Sequence, residues 1–436
     1  MKRIISLILV FVIAFSTVSV FASPIEYGQA GILIDKKTGN ILWEKNSTKK
    51  MYPASTTKIM TAMVILDAVD TGEITLEDTL TYTYELQERL DLDGTHIELK
   101  VGEEMTVLRL LEGLLVASGN DCAMLLSTIF SGNEAEFIKR MNDKAAALGL
   151  TGTHFTNPSG LPDKNHYTTA RDLAKLAYHA MKNKTFAKIV GMPELYTDPT
   201  NKTEKQRYFI NTNNLMSYKR FSQYYYPKAT GIKTGYTDDA GACLVASAKD
   251  GDRELIAVIL KAGHSGESHI DAKNLLEYGF KNYSSVKIAS EGEVFDEIAL
   301  RYASDGTDHV MAVAESNFYG LLPNGVNASK VEKTVSFDKE YVRAPIKAGD
   351  KVGSVTFTYN GNVLGKINLV SDSTVKGKFY RHILIARDYI WSFLIVKIIV
   401  YGALLWLVLY IAYFIYAVNQ AIKRKKERER RRRREE

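Results

Sequence analysis

Three short segments, far apart in the chain, constrain its fold more than any other feature: Ser55-Thr56-Thr57-Lys58, Ser118-Gly119-Asn120 and Lys233-Thr234-Gly235. Each carries hydroxyl, amine or amide groups suited to serine acyl transfer, and they can cooperate only in a fold that brings all three to one cleft. The letters alone are weak. Ser-x-x-Lys also occurs at Ser47 to Lys50, Ser284 to Lys287, Ser336 to Lys339 and Ser373 to Lys376. Ser-Gly-Asn recurs at Ser131 to Asn133, and Lys-Thr-Gly at Lys37 to Gly39.

Context separates them. Behind Pro53, an apolar run from Ile59 to Leu66 predicts a helix that starts at Ser55. Residues three apart share a helix face, so the Lys58 amine reaches the Ser55 hydroxyl, and the helix N-terminus favours an oxyanion beside it. Ser47 to Lys50 instead sits in a polar run that predicts a surface loop. Ser118-Gly119-Asn120 interrupts two apolar helical stretches, residues 107–116 and 122–130, as a tight turn that aims a hydroxyl and an amide into a cleft. The later copy at Ser131 follows the second stretch and fits a helix stop. Lys233-Thr234-Gly235 opens a strand-rich tract in which Lys249-Asp250-Gly251-Asp252 marks a hairpin turn. A glycine on such a strand lets substrate lie against the backbone. Lys37-Thr38-Gly39 falls where a hairpin turn is expected between residues 31–35 and 40–43.

As a base, Lys58 must be neutral for part of the time. Burial and a second cation achieve that, and lowering a lysine from about 10.4 to about 7 corresponds to roughly 4 to 5 kcal/mol against its charged form. Lys233 is the natural second cation. Asn120 offers donor and acceptor for a substrate amide, and the Ser118 hydroxyl is placed to relay a proton.

These motifs, with the flanks Ser118-Gly119-Asn120-Asp121-Cys122-Ala123, Leu148-Gly149-Leu150-Thr151, Thr168-Thr169-Ala170-Arg171-Asp172 and Gly231-Ile232-Lys233-Thr234-Gly235-Tyr236-Thr237, resemble the low-molecular-weight penicillin-binding proteins of the serine D-alanyl-D-alanine carboxypeptidase family. The resemblance runs from about Ile25 to Lys378. It implies an α/β (α+β) catalytic domain of the serine β-lactamase and transpeptidase type, then a small all-β domain. It implies that Ser55 is acylated, Lys58 accepts its proton and Ser118 is the third catalytic group. Asn120, Lys233, Thr234, Gly235 and Tyr236 bind substrate, with Lys233 on the terminal carboxylate and the backbone N–H groups of Ser55 and Tyr236 as the oxyanion hole. Some relatives carry histidine where Tyr236 stands. The implied partners are a peptidoglycan stem peptide ending in D-Ala-D-Ala and β-lactams as covalent inhibitors, with no cofactor and no metal.

The ends of the chain speak to location. Met1-Lys2-Arg3 precedes an apolar run, residues 4–20, and Phe21-Ala22-Ser23, a secretory signal (1–22) with cleavage after Ala22. Residues 398–418 lack any charge and suffice for a transmembrane helix. The tail from Lys423 carries ten basic and four acidic residues, so its +6 equals the net charge of the chain. The positive-inside rule puts it in the cytoplasm and the catalytic region outside. Beside a span, that basic run is read as topology rather than as a nucleic-acid site. The expected layout is therefore catalytic domain 23–284, β-rich spacer 285–378 (a small β-sandwich), juxtamembrane segment 379–397, span 398–418 and cytoplasmic tail 419–436.

Cys122 and Cys243 are too few for a disulfide framework and sit in apolar runs, which favours buried free thiols; their nearness in the family fold leaves a bridge open. His264 and His269 lack a third ligand motif and predict no metal site. Two alternatives stay open. A class A β-lactamase needs a Glu-x-x-Leu-Asn motif that this chain lacks, and a wall-binding scaffold would carry a vestigial site.

Overall fold

The structure, a computed structural model, describes residues 23–130 and 133–435. The expected leader, residues 1–22, lies outside the described residues, as do Ser131 and Gly132.

Strands Ala30–Asp35, Ile41–Lys45, Ala229–Thr237, Gly241–Asp250 and Arg253–Ala262 form one antiparallel sheet. In space Ile41–Lys45 lies at one edge, followed by Ala30–Asp35, Arg253–Ala262, Gly241–Asp250 and, at the far edge, Ala229–Thr237. The central strands read as near-continuous apolar runs because both faces are covered. Leu33, Leu244, Ala246, Leu255, Ala257 and Ile259 turn to one face, where Ala272, Leu275, Leu276 and Phe280 of the helix Ser265–Asn282 meet them. Ile32, Ile34, Val245, Ile256, Val258 and Leu260 turn to the other, toward a helical layer. At the centre of that layer the helix Lys58–Asp70 is apolar nearly all round and is buried accordingly.

Both expected hairpins are present. Gly39 closes the first with φ +79° beside the Asp35 carboxylate, and Gly251 closes the second with φ +60°. The Ser47 to Lys50 stretch departs in part from a solvated loop, since Ser47 is buried and donates to Glu44 at 2.5 Å while its lysines stay exposed. Asn133 does not stop the preceding helix; it caps the next one, Glu134–Ala147, by accepting from Ala135 N at 2.8 Å.

The chain divides into two units. The first runs up to Val286 and includes Tyr319–Lys330 and Tyr359–Leu364, which punctuation in the sequence does not announce. The second holds Lys287–Phe318, Val331–Thr358 and the chain from Gly365 on. Its strands belong mainly to one six-stranded sheet around fully buried Phe357, which stacks on Phe318. After it come the helix Arg381–Ser392 and a single helix Leu394–Glu435, so the basic tail continues the apolar segment without a break.

Candidate active site

Ser55 is the second residue of a 3-10 turn, Ala54–Thr57, and the α-helix proper begins at Lys58. The sequence predicts a helix from Ser55; the tighter turn differs in a useful way. With about three residues per turn, positions i and i+3 eclipse each other, so Lys58 sits directly over Ser55. Its Nζ lies 2.8 Å from Ser55 Oγ. The turn is held by Thr56 Oγ1 donating to Pro53 O at 2.7 Å and by Thr57 Oγ1 bonded to His166 Nε2 at 2.8 Å. Ala54, just before the nucleophile, has φ +47°. Its carbonyl lies against Gly160, where a Cβ would come within 1.9 Å of Ala54 O.

Lys58 is completely buried. Besides Ser55 it donates to Asn120 Oδ1 at 2.7 Å and to the Ser159 carbonyl at 2.9 Å. Burial pushes its amine down to about 7, with Cys122 and Asp121 pulling the other way. Both fixed partners only accept. A neutral amine can give them its two N–H groups and keep its lone pair for the Ser55 hydroxyl, while the ammonium form fills all three contacts as donor. The site therefore accommodates both protonation states without moving.

Ser118 ends a π-helical turn, Gly113–Ala117, in the left-handed conformation with φ +67°. Asn120 then opens the helix Asn120–Ser127, so the expected helix, turn and helix are all present. Two bonds fix the turn: Gly119 N donates to Gly113 O at 3.1 Å, and Asn120 N to Thr95 O at 2.7 Å. Beneath it, fully buried Asp121 accepts from the backbone N–H groups of Ile97, Leu99 and Cys122.

The edge strand Ala229–Thr237 brings the third motif against the serine turn. A Cβ on Gly235 would lie 2.9 Å from Pro53 O, 2.9 Å from Ser55 N and 3.0 Å from Thr56 N, so only glycine permits the approach. Thr234 Oγ1 donates to Thr212 Oγ1 at 2.7 Å. Tyr236 is 57% exposed and donates from its hydroxyl to Asp238 at 3.2 Å. Lys233 is fully buried and donates to Thr234 O at 3.1 Å. Burial first, and then Lys58, push the Lys233 amine well below its usual range. Burial is the leading cause at both lysines, and the repulsion between two neighbouring amines adds to it.

A cleft of about 850 Å³ opens over these segments. Ser55, Ser118, Asn120, Thr234, Gly235 and Tyr236 line it, whereas Lys58 and Lys233 lie beneath the surface rather than on it. Several contributors were not singled out from the sequence. The Ser159 carbonyl and Gly160 come from Asn157-Pro158-Ser159-Gly160, where Asn157 Oδ1 accepts from the N–H groups of Ser159, Gly160 and Leu161; that density of turn formers was the available signal. Thr212, Asn214 and Arg220 left none, and Asp121 stood out only as part of the flank of Ser118-Gly119-Asn120. His264 caps the helix Ser265–Asn282, and buried His269 accepts from Asn214 N at 3.1 Å. Cys122 and Cys243 are both buried free thiols.

Residues 19–264 match the family model described as D-alanyl-D-alanine carboxypeptidase, and residues 283–377 match the one described as penicillin-binding protein 5, C-terminal domain. D-alanyl-D-alanine carboxypeptidase DacF of Bacillus subtilis is 33% identical over 349 residues, covering 80% of this chain and 86% of that protein. D-alanyl-D-alanine carboxypeptidase DacA of Haemophilus influenzae is 29% identical over 384 residues, covering 84% and 93%. The crystal structure of penicillin binding protein 5 from Haemophilus influenzae matches with a TM-score of 0.65 at 29% identity, over 80% of this chain and 98% of that one.

Proposed function

Since the chain belongs to the D-alanyl-D-alanine carboxypeptidase family, we propose that Ser55 is the nucleophile with which it removes the terminal D-alanine from peptidoglycan pentapeptides. The protein is a serine-type carboxypeptidase and penicillin-binding protein whose substrate is a peptidoglycan peptide. One observation carries the assignment of roles: Ser55 Oγ lies 2.8 Å from a completely buried lysine whose amine is held at about 7.

In the proposed mechanism, neutral Lys58 takes the Ser55 proton as Oγ attacks the carbonyl between the two D-alanines. The oxyanion is received by the backbone N–H groups of Ser55 and Tyr236; Gly235, the neighbour of Tyr236, packs against Ser55 N. Ser118 relays the proton held by Lys58 to the departing amine as the C–N bond breaks, which returns Lys58 to its neutral form; water then hydrolyses the ester on Ser55, its proton returning to Ser55 Oγ. Asn120 has two tasks, fixing Lys58 through Oδ1 and meeting the substrate amide. The terminal carboxylate docks at the Thr234 hydroxyl. Lys233, buried behind it, contributes as a positioning residue rather than by direct contact.

β-Lactams place an acyl carbonyl in the same position. Intact-mass measurement after treatment with benzylpenicillin should show one adduct, mapped to the peptide containing Ser55 and absent from Ser55→Ala. An adduct on another residue contradicts the assignment.

For location we propose the layout 23–284 catalytic, 285–378 spacer, 379–397 juxtamembrane, 398–418 span and 419–436 cytoplasmic tail, with the leader 1–22 removed and the catalytic domain outside the cell. In support, the helix region Val396–Arg434 has a stretch of mean hydropathy 2.4 that is wholly unburied, followed by the cationic tail.

A further inference from the structure

Beside the catalytic cleft lies a second cavity, of about 360 Å³, with a different lining. Four lysines, Lys49, Lys50, Lys164 and Lys261, face a single acid, Asp239. All five side chains are exposed, and among the described residues none of the lysines has an ion-pair partner. What sets these four apart is that they converge on one concavity rather than being scattered over the surface. Tyr52 and Tyr167 supply the apolar wall, and the Lys50 ammonium sits 4.0 Å above the Tyr167 ring. Four ammonium groups against one carboxylate in a concave site leave an excess of positive charge that focuses potential and draws anions.

The cavity is placed to act on the same substrate. Asp239 lines both it and the cleft, and Tyr52 is three residues before Ser55. Along the edge strand the proposed contacts run from Thr234 at the terminal carboxylate to Tyr236 at the reacting carbonyl. Continuing in that direction leads through Thr237 to Asp239, on the acyl side of the bond that is cut.

We propose that this cavity is a subsite for an anionic group carried by the cell-wall substrate on the acyl side of the scissile bond. The group is a carboxylate of the stem peptide or a phosphate on the attached glycan. The proposal rests on the carboxypeptidase reading above, and it makes the lysines determinants of specificity rather than of chemistry.

The test compares the full chain, in detergent, with the variant K49Q/K50Q/K164Q/K261Q. D-alanine release is followed from diacetyl-lysyl-D-alanyl-D-alanine, which has no upstream anion, from a pentapeptide with an upstream carboxylate, from its amidated analogue, and from a phosphate-bearing glycan pentapeptide. Neutralisation should raise KM for an anionic substrate about tenfold at unchanged kcat, with salt doing the same to the wild type. Turnover of diacetyl-lysyl-D-alanyl-D-alanine should not change. Loss confined to the carboxylate peptide assigns the carboxylate, and loss confined to the glycan assigns the phosphate. Equal behaviour of all substrates in both proteins overturns the proposal, as does an equal loss on all of them in a variant that still reacts with penicillin at the wild-type rate. If the wild type releases no D-alanine, the carboxypeptidase reading fails by itself. Equilibrium binding of the same substrates to Ser55→Ala then decides the subsite: affinity for the anionic forms must fall on neutralisation, and equal affinity overturns it.

Discussion

Lys58 is costly to keep where it is, and the cost is what makes it useful. Its ammonium form is disfavoured by burial, so near neutrality a substantial fraction of the amine is free to take the Ser55 proton. Penicillin acylation should therefore rise with pH around a midpoint near 7, and a rate that is flat from pH 5.5 to 8.5 would remove Lys58 as the base. Lys58→Arg keeps a cation that cannot deprotonate and should lower acylation by roughly three orders of magnitude. The same shift bears on stability. The folded pKa of about 7 lies below the ordinary lysine value of 10.5, so between them the unfolded chain holds a proton that the folded one lacks. Stability from this group rises with pH through that window, and the penalty is full below it. Relative to Lys58→Met, the wild type should gain at most about 3 kcal/mol between pH 7 and 9.5, as urea unfolding at both pH values would show. A constant difference contradicts the buried, depressed amine.

At the scale of elements, the site is a meeting of backbones as much as of side chains. The edge strand, the serine turn and the turn at Gly160 approach so closely that two glycines are obligatory. Gly235→Ala should push the strand off the serine turn and reduce acylation about a hundredfold, the effect of spoiling an oxyanion donor, while costing only about 1 to 3 kcal/mol of stability. Asp121→Ala removes the acceptor for three buried N–H groups and should cost about 3 kcal/mol, measured by thermal or urea unfolding, because it frees residues 97–99 from the Ser118 turn. The motif residues and the elements that carry them were legible in the sequence because they are local: a proline-led apolar helix, a polar break between two apolar stretches, a glycine on a strand. What supports them was not legible. Ser159 contributes a carbonyl that every residue type possesses, and Asp121 reaches residues more than twenty positions away. The 3-10 turn at Ser55 was hidden for a related reason. It is held by the bond from Thr57 to His166, more than a hundred positions away, and packs against Gly160, and no periodicity records either contact.

At the scale of the molecule, charge and apolar surface are segregated along the chain. The tail from Lys423 carries +6, equal to the net charge of all 436 residues, and it continues a helix whose large apolar side chains, Leu405 and Trp406 among them, are exposed. At 1.5 Å per residue the helix Leu394–Glu435 extends roughly 63 Å, long enough to cross a bilayer and project beyond it. Removing residues 394–436 should move the protein from the membrane to the soluble fraction with kcat/KM for small substrates unchanged within about twofold; a truncated protein that still sediments with membranes would place the anchor elsewhere. All of these roles depend on Ser55 performing the carboxypeptidase reaction. It is tested most directly by D-alanine release from diacetyl-lysyl-D-alanyl-D-alanine by the full chain beside Ser55→Ala. Release that disappears in the variant is the result predicted. Equal release by both proteins, or none from a wild type that still binds penicillin covalently at Ser55, would contradict it.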